Sequence, residues 1–254
     1  MTEAAPVITM SLSPGFARRR LGCVGKPIEG VTVTIRDPVT QEILPVDVPG
    51  EICVSGPVVA QGYFKNPEAT AATFPTDENG VRYLRTGDLG SLDADGFLKV
   101  SGRIKEQYKL QNGKFVSPSP IEDILQRSPY ILQAAVFGAD EEFNAALIVP
   151  DRLEIQKWAE EKGIDGESLD LCSNAEVLKL IAQEIVKYSA ELKSYELVKR
   201  FALLEEPFSP ENNLLTQKMS LKRHNVSKVY ADTIANLFQG QIGLEVRYIP
   251  IKHK

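Results

Sequence analysis

Histidine, tryptophan and cysteine are all scarce here: two His, one Trp and three Cys among 254 residues. With only His224 and His253 available and no close pair of cysteines, a structural zinc site or a histidine-based triad is not expected. Cys23, Cys53 and Cys172 are odd in number and widely spaced, which fits a reducing compartment better than a disulfide framework. An intracellular setting follows; cytoplasm, organelle and peripheral membrane are not separated. No apolar run approaches the roughly 20 residues a membrane-spanning helix needs. Basic excess is also missing: 29 Lys and Arg against 34 Asp and Glu leave a net charge of −5, which argues against a nucleic-acid partner. The N-terminus has no signal-peptide pattern. There is no Walker-type phosphate loop, no internal repeat and no low-complexity tract.

The remaining composition suits one large or two modest globular domains with enough apolar residues for a core. The first hundred residues read as β-rich. Residues 31–35 alternate and are β-branched, residues 50–54 follow a Pro-Gly turn, and Asp93-Ala94-Asp95-Gly96 is a hairpin signal. Asn112-Gly113 between apolar residues is a stronger one. Ser119-Pro120 offers an N-cap with proline at the first helical position, and Ile121, Ile124 and Leu125 then share one helix face. Two apolar strands at 132–137 and 145–149, a helix from 151 to about 162, and a polar loop at 163–172 come next. A long helix after Ser173, a strand at 198–204 and one final helix from about 225 to 238 complete the chain. Strands alternating with helices predict a mixed α/β fold: a β-rich subdomain over 1–102 and a small α/β domain over 103–254.

Two segments carry the chemistry. The first is Tyr83-Leu84-Arg85-Thr86-Gly87-Asp88-Leu89-Gly90. The second starts with Gly102-Arg103-Ile104-Lys105-Glu106 and runs on to Asn112-Gly113-Lys114-Phe115-Val116-Ser117-Pro118. In this order and spacing they resemble core motifs of the adenylate-forming superfamily, which includes acyl-CoA synthetases, luciferases and nonribosomal adenylation domains. Met1-Thr2-Glu3-Ala4-Ala5 looks like the tail of that superfamily's earlier aromatic-Gly-Met-Thr-Glu motif. The resemblance therefore covers the superfamily's C-terminal part and implies a longer parent protein whose Ser/Thr/Gly-rich phosphate loop and acyl pocket lie upstream.

The resemblance implies roles for individual residues. Asp88 would accept hydrogen bonds from the ribose hydroxyls of ATP, where charge makes such bonds strong; as a residue on its own it would be the cap of a turn after Gly87. Arg103 would contact ribose and phosphate through its planar fork, or, read simply as a surface arginine, pair with Asp93 or Asp95. Thr2 would reach toward the phosphates and Glu3 would hold magnesium, which prefers oxygen ligands. Lys105 falls at the hinge about which the small domain turns between adenylation and thioester formation. Gly113 would lie beside the channel for the thiol of CoA, or of an acyl carrier protein, while equally meeting the hairpin's need for positive φ.

Near the C-terminus the sequence departs from the pattern. The long-chain fatty acyl synthetase members read roughly Leu-Thr-Pro-Thr-Leu-Lys-Leu-Lys-Arg, whereas this chain reads Leu215-Thr216-Gln217-Lys218-Met219-Ser220-Leu221-Lys222-Arg223. Ser220 stands where the catalytic lysine would be. In an extended loop Lys218 and Lys222 would project on the same side and either could supply the cation; otherwise adenylation is weak or lost. Activation of a long-chain fatty acid with ATP and Mg²⁺ is the implied reaction, and a non-catalytic binding or regulatory remnant of such a ligase is the alternative. Arg18-Arg19-Arg20 reads as a solvated face, with contact to anionic lipid headgroups as a lesser reading. Oligomeric state is not indicated.

Overall fold

The computed structural model describes residues 1–11, 20–164, 170–240 and 246–248. These residues form two compact units, Met1–Glu106 and Gln107–Lys254, with the division just past the expected junction.

Unit 1 is built on a four-stranded antiparallel sheet in the order β3-β4-β5-β6, with β3 at Thr32–Arg36, β4 at Gly50–Ser55, β5 at Leu84–Leu92 and β6 at Leu98–Arg103. Val33, Ile35, Ile52, Val54, Leu84 and Leu98 alternate along these strands onto one face and pack with Ala4 and Phe74. A small antiparallel pair, β1 (Thr9–Met10) and β2 (Lys26–Pro27), lies outside this sheet. The unit also contains a helix that the periodicity did not signal, α1 at Pro67–Thr73. It starts where Asn66 caps the Ala69 amide and proline takes the first turn, and none of its residues is buried, so no apolar stripe marks it. The Asp93 to Gly96 hairpin forms as expected, with the Asp93 carboxylate accepting from the Asp95 and Phe97 amides.

Unit 2 opens with the Asn112-Gly113 hairpin, β7 (Tyr108–Lys109) against β8 (Phe115–Val116). Helix α2 spans Pro118–Leu125 and starts two residues before the expected point: Ser117 is the N-cap, and Ser119 and Pro120 lie in the first turn. A mixed sheet follows in the order β12-β11-β10-β9, with β9 at Ile131–Phe137, β10 at Asn144–Pro150, β11 at Val198–Leu203 and β12 at Val246–Tyr248. Strand β10 is antiparallel to β9 and parallel to β11, so a crossover is required, and α3 (Arg152–Glu161) and α4 (Ala175–Tyr188) supply it. Every residue of β10 is buried because both sheet faces are covered. Val136, Ala146, Ile148 and Phe201 pack with α2, α3 and α4 on one side; Ala135, Ala145, Leu147 and Ala202 pack with Val226 and Leu237 on the other. The last two residues belong to α5 (Arg223–Val229) and α6 (Ala231–Gln239), where one continuous helix was expected; the chain breaks at Tyr230. Trp158 of α3 is partly buried against the core. Residues 165–169 of the expected polar loop lie outside the described residues, as do Arg18 and Arg19. No helix among the described residues is long and apolar enough to cross a membrane.

Candidate functional site

In unit 1 the Thr86-Gly87-Asp88 segment is a bulge in β5. Glu51 pairs with Leu89 and Cys53 with Arg85, so Ile52 alone stands opposite Thr86, Gly87 and Asp88. The surplus folds outward, which requires positive φ at Gly87, observed at 71°. Two side chains hold the bulge. The Thr86 hydroxyl donates to the Ile52 carbonyl at 2.7 Å and accepts from the Asp88 amide at 3.1 Å. The Glu51 carboxylate accepts the Gly87 amide at 3.2 Å and the Arg85 Nε and Nη2 at 3.0 and 2.8 Å. Asp88 is thus a bulge residue and not a turn cap.

On the other side β6 brings Arg103 opposite Asp88, with Nε 3.1 Å from Oδ1. The Asp88 side chain is 30 % exposed and that of Arg103 67 %. Burial raises the Asp88 pKa above the ordinary aspartate value, and Arg103 pulls it back only in part. The charges of Glu106 and of the Met1 amino group act on the same carboxylate more weakly, the first raising and the second lowering its pKa. Asp93 and Asp95, the alternative partners considered for Arg103, are taken by Arg20. That arginine also lies over Phe97, and its side chain stays 46 % exposed.

Thr2 and Glu3 lie in a single 3₁₀ turn, Thr2–Ala4, anchored by Ala4, which is fully buried, and by the Ala60 amide donating to the Glu3 carbonyl at 2.9 Å. The Tyr63 hydroxyl donates to Glu3 Oε1 at 3.1 Å, which leaves Oε2 as a possible oxygen donor to a cation. A divalent ion held mainly by phosphates needs one or two protein carboxylates, and Glu3 meets that requirement. Among the described residues the one cluster of three potential ligands is elsewhere, at Asp170, Cys172 and Glu205. Lys105 is exposed in the 3₁₀ turn Ile104–Glu106, directly before the division between the units.

Unit 2 carries the other expected positions. Gly113 has φ 83° in the tight turn closed by its own amide on the Leu110 carbonyl, and a Cβ there would meet nothing closer than Lys109 at 3.8 Å. Backbone conformation therefore demands glycine at this point, without any crowding from the chain itself.

The segment holding Lys218 and Lys222 is not extended, contrary to the geometry expected above. Leu215 bridges Leu221, the Thr216 amide donates to the Ser220 carbonyl, and the Met219 amide returns to the Thr216 carbonyl. Met219 takes φ 62°, completing a three-residue hairpin loop of Gln217, Lys218 and Met219. Lys218 is exposed at its tip. Lys222 is instead the N-cap position of α5, with its ammonium on the Asn213 carboxamide. The two lysines therefore differ in setting, and neither stacks over Ser220 by strand alternation.

An ion pair between buried Glu122 and half-buried Arg223 secures the far end of this hairpin. Arg223 Nη1 and Nη2 meet Glu122 Oε1 and Oε2 at 2.8 and 2.9 Å, Nη1 also reaches the Val136 carbonyl, and Glu122 Oε1 accepts the Val136 amide. Glu51 and Glu122 went unremarked in the sequence. The available signal was a carboxylate inside an otherwise apolar strand or helix face, a placement that requires a partner.

Residues 1–64 match the family model described as AMP-binding enzyme, and residues 105–241 that described as AMP-binding enzyme C-terminal domain, which spans more than half of the chain. The chain belongs to the AMP-binding enzyme family. Within that family it is 37 % identical over 193 residues to long chain acyl-CoA synthetase 8 of Arabidopsis thaliana, covering 74 % of this chain and 27 % of the relative. It is 35 % identical over 220 residues to long-chain-fatty-acid–CoA ligase 1 of Homo sapiens, covering 85 % and 31 %. The chain thus spans less than a third of the length of these curated relatives. Among solved structures it resembles O-succinylbenzoate coenzyme A synthetase from Bacillus subtilis in complex with AMP, with TM-score 0.62, 27 % identity and coverage of 89 % of this chain and 39 % of that one. The A domain of a carboxylic acid reductase from Segniliparus rugosus, in complex with AMP and a co-purified carboxylic acid, aligns with TM-score 0.66 and 25 % identity over 85 % and 33 %.

Proposed function

We propose that this chain is the C-terminal part of an acid-thiol ligase that activates a long-chain fatty acid with ATP and passes the acyl group to the thiol of CoA or of an acyl carrier protein. The observation that carries this reading is Asp88: a carboxylate lifted by burial, set in a pinned bulge and faced by Arg103. A charged acceptor held in this way suits two neighbouring ribose hydroxyls, and the adjacent guanidinium suits ribose or phosphate oxygen. The names of the relatives support a long-chain fatty acid as substrate.

In this reading Thr2 reaches toward the phosphates and Glu3 offers one oxygen to magnesium. The ion would neutralise charge on the leaving pyrophosphate. Lys105 is the hinge position, Gly113 borders the path of the thiol arm, and the tip lysine Lys218 supplies the cation for adenylation, with Lys222 second because its ammonium already bonds Asn213. An intracellular setting is part of the proposal and is supported by the odd, scattered cysteines. Ser220 in place of the family lysine favours the second reading, a binding or regulatory module without catalysis.

Fatty-acid-dependent exchange of pyrophosphate into ATP tests the proposal. A protein of the relatives' full length that includes this chain should show it, and the 254 residues alone should not. Asp88→Ala in the longer protein should cost about 1.5–3 kcal/mol, the worth of a charge-assisted contact. Unchanged exchange after that substitution would remove the ribose assignment.

A further inference from the structure

We propose that Glu51 is a positioning residue for Asp88: its buried carboxylate fixes the shape of the bulge that presents Asp88. The inference rests on the ribose reading of Asp88 and names what holds that residue in place. Glu51 is 2 % exposed and sits on β4, not on the strand that carries the motif. Its two oxygens divide the work. Oε1 accepts the Gly87 amide, immediately before Asp88, at 3.2 Å, while Oε2 accepts Arg85 Nε and Nη2 and the Gln41 Nε2 at 3.3 Å.

The bulge creates the need for this carboxylate. Three residues of β5 face one of β4, so the Gly87 amide has no carbonyl of the neighbouring strand to bond and takes the Glu51 side chain instead. The Asp88 amide is likewise bonded by a side chain, the Thr86 hydroxyl. Glu51 therefore bonds the residues on both sides of Thr86, and Thr86 in turn bonds Asp88. Glutamine at position 51 keeps the size but has a single acceptor oxygen. Directed at Gly87, it turns its NH₂ toward the Arg85 guanidinium, and directed at Arg85 it turns the NH₂ toward the Gly87 amide. The charged Arg85 guanidinium, at 2.8 and 3.0 Å, holds the single oxygen more strongly than the neutral Gly87 amide at 3.2 Å, so glutamine turns its NH₂ toward Gly87 and that amide loses its acceptor.

Amide exchange and nucleoside titration of the ¹⁵N-labelled 254-residue protein test this. Glu51→Gln should speed exchange at the Gly87 amide on the order of tenfold, the effect of one lost hydrogen bond, while the Val136 amide of unit 2 stays protected. In the wild type, millimolar adenosine should shift the Asp88 and Arg103 amide signals more than 2′-deoxyadenosine does. Glu51→Gln should erase that preference, which loss of stability alone would not do. Asp88→Asn should erase it as well but leave Gly87 exchange unchanged. If Glu51→Gln does not fold, Glu51→Asp, which retains both oxygens on a shorter arm, must accelerate Gly87 exchange. Unaltered Gly87 exchange in a folded position-51 variant overturns the proposal. A wild type that does not distinguish the two nucleosides overturns the ribose reading, and with it the purpose assigned to Glu51, while Gly87 exchange still decides whether Glu51 holds the bulge.

Discussion

Asp88 and Arg103 stand opposite each other on β5 and β6, with the guanidinium Nε 3.1 Å from the carboxylate, yet burial outweighs this ion pair and leaves the Asp88 pKa raised. A carboxylate that the fold makes harder to ionise is a cost to stability, and such costs gather at sites kept for function.

The cost has a definite pH dependence. A carboxyl whose folded-state pKa lies above its unfolded value of about 3.8 contributes fully to stability below that value and loses the contribution as pH rises through the folded-state value. Asp88→Asn should therefore melt above the wild type at pH 7, and the two should converge near pH 3. Scanning calorimetry across that range checks it; a variant less stable than wild type at neutral pH would show that the Arg103 pair outweighs burial.

Breaking the Glu122 and Arg223 pair should destabilise unit 2. Both oxygens and both terminal nitrogens are engaged, so Glu122→Gln leaves part of a guanidinium unpaired beside β9 and should cost roughly 3 kcal/mol in denaturant unfolding. Replacing both residues by methionine removes that charge but also strips the buried Val136 amide and carbonyl of their partners, so the double variant should gain nothing over the single one. A double variant clearly more stable than Glu122→Gln would contradict this account.

The hairpin geometry separates the two lysines. In a protein of full family length, Lys218→Ala should lower adenylation by about 10²–10³, the effect of removing one preorganised donor, with thioester formation from preformed adenylate little changed. Lys222→Ala should act chiefly by loosening the start of α5, lowering stability more than rate. Ser220→Lys should be tolerated or raise the rate. Full adenylation activity in both alanine variants would rule out a displaced lysine.

Lys105 lies in a 3₁₀ turn at the edge of unit 1. Lys105→Pro limits φ and removes a backbone donor, so it should slow thioester formation while leaving adenylate formation nearly intact. Separate assays of the two half-reactions decide the matter, since equal losses in both would point to misfolding and not to a hinge.

Local chemistry was enough to read much of this protein from its sequence. Asn112-Gly113 specified a hairpin because positive φ is cheap there, the apolar run of β10 marked a strand, and the pairing of Thr86-Gly87-Asp88 with Gly102-Arg103 pointed to the family. Helix α1 escaped because it buries nothing, and the break at Tyr230 because the apolar spacing runs on through it. Two features were decided by the tertiary structure alone: Glu51 meets Arg85 from 34 positions away, and Glu122 meets Arg223 from 101. The 215–221 hairpin is local, but no glycine or Asn-Gly marks its turn, so alternation alone would have left it extended. Turn and strand preferences depend on bonds within a few residues, so the sequence states them. A buried carboxylate states only that it needs a partner, and folding selects that partner from the whole chain.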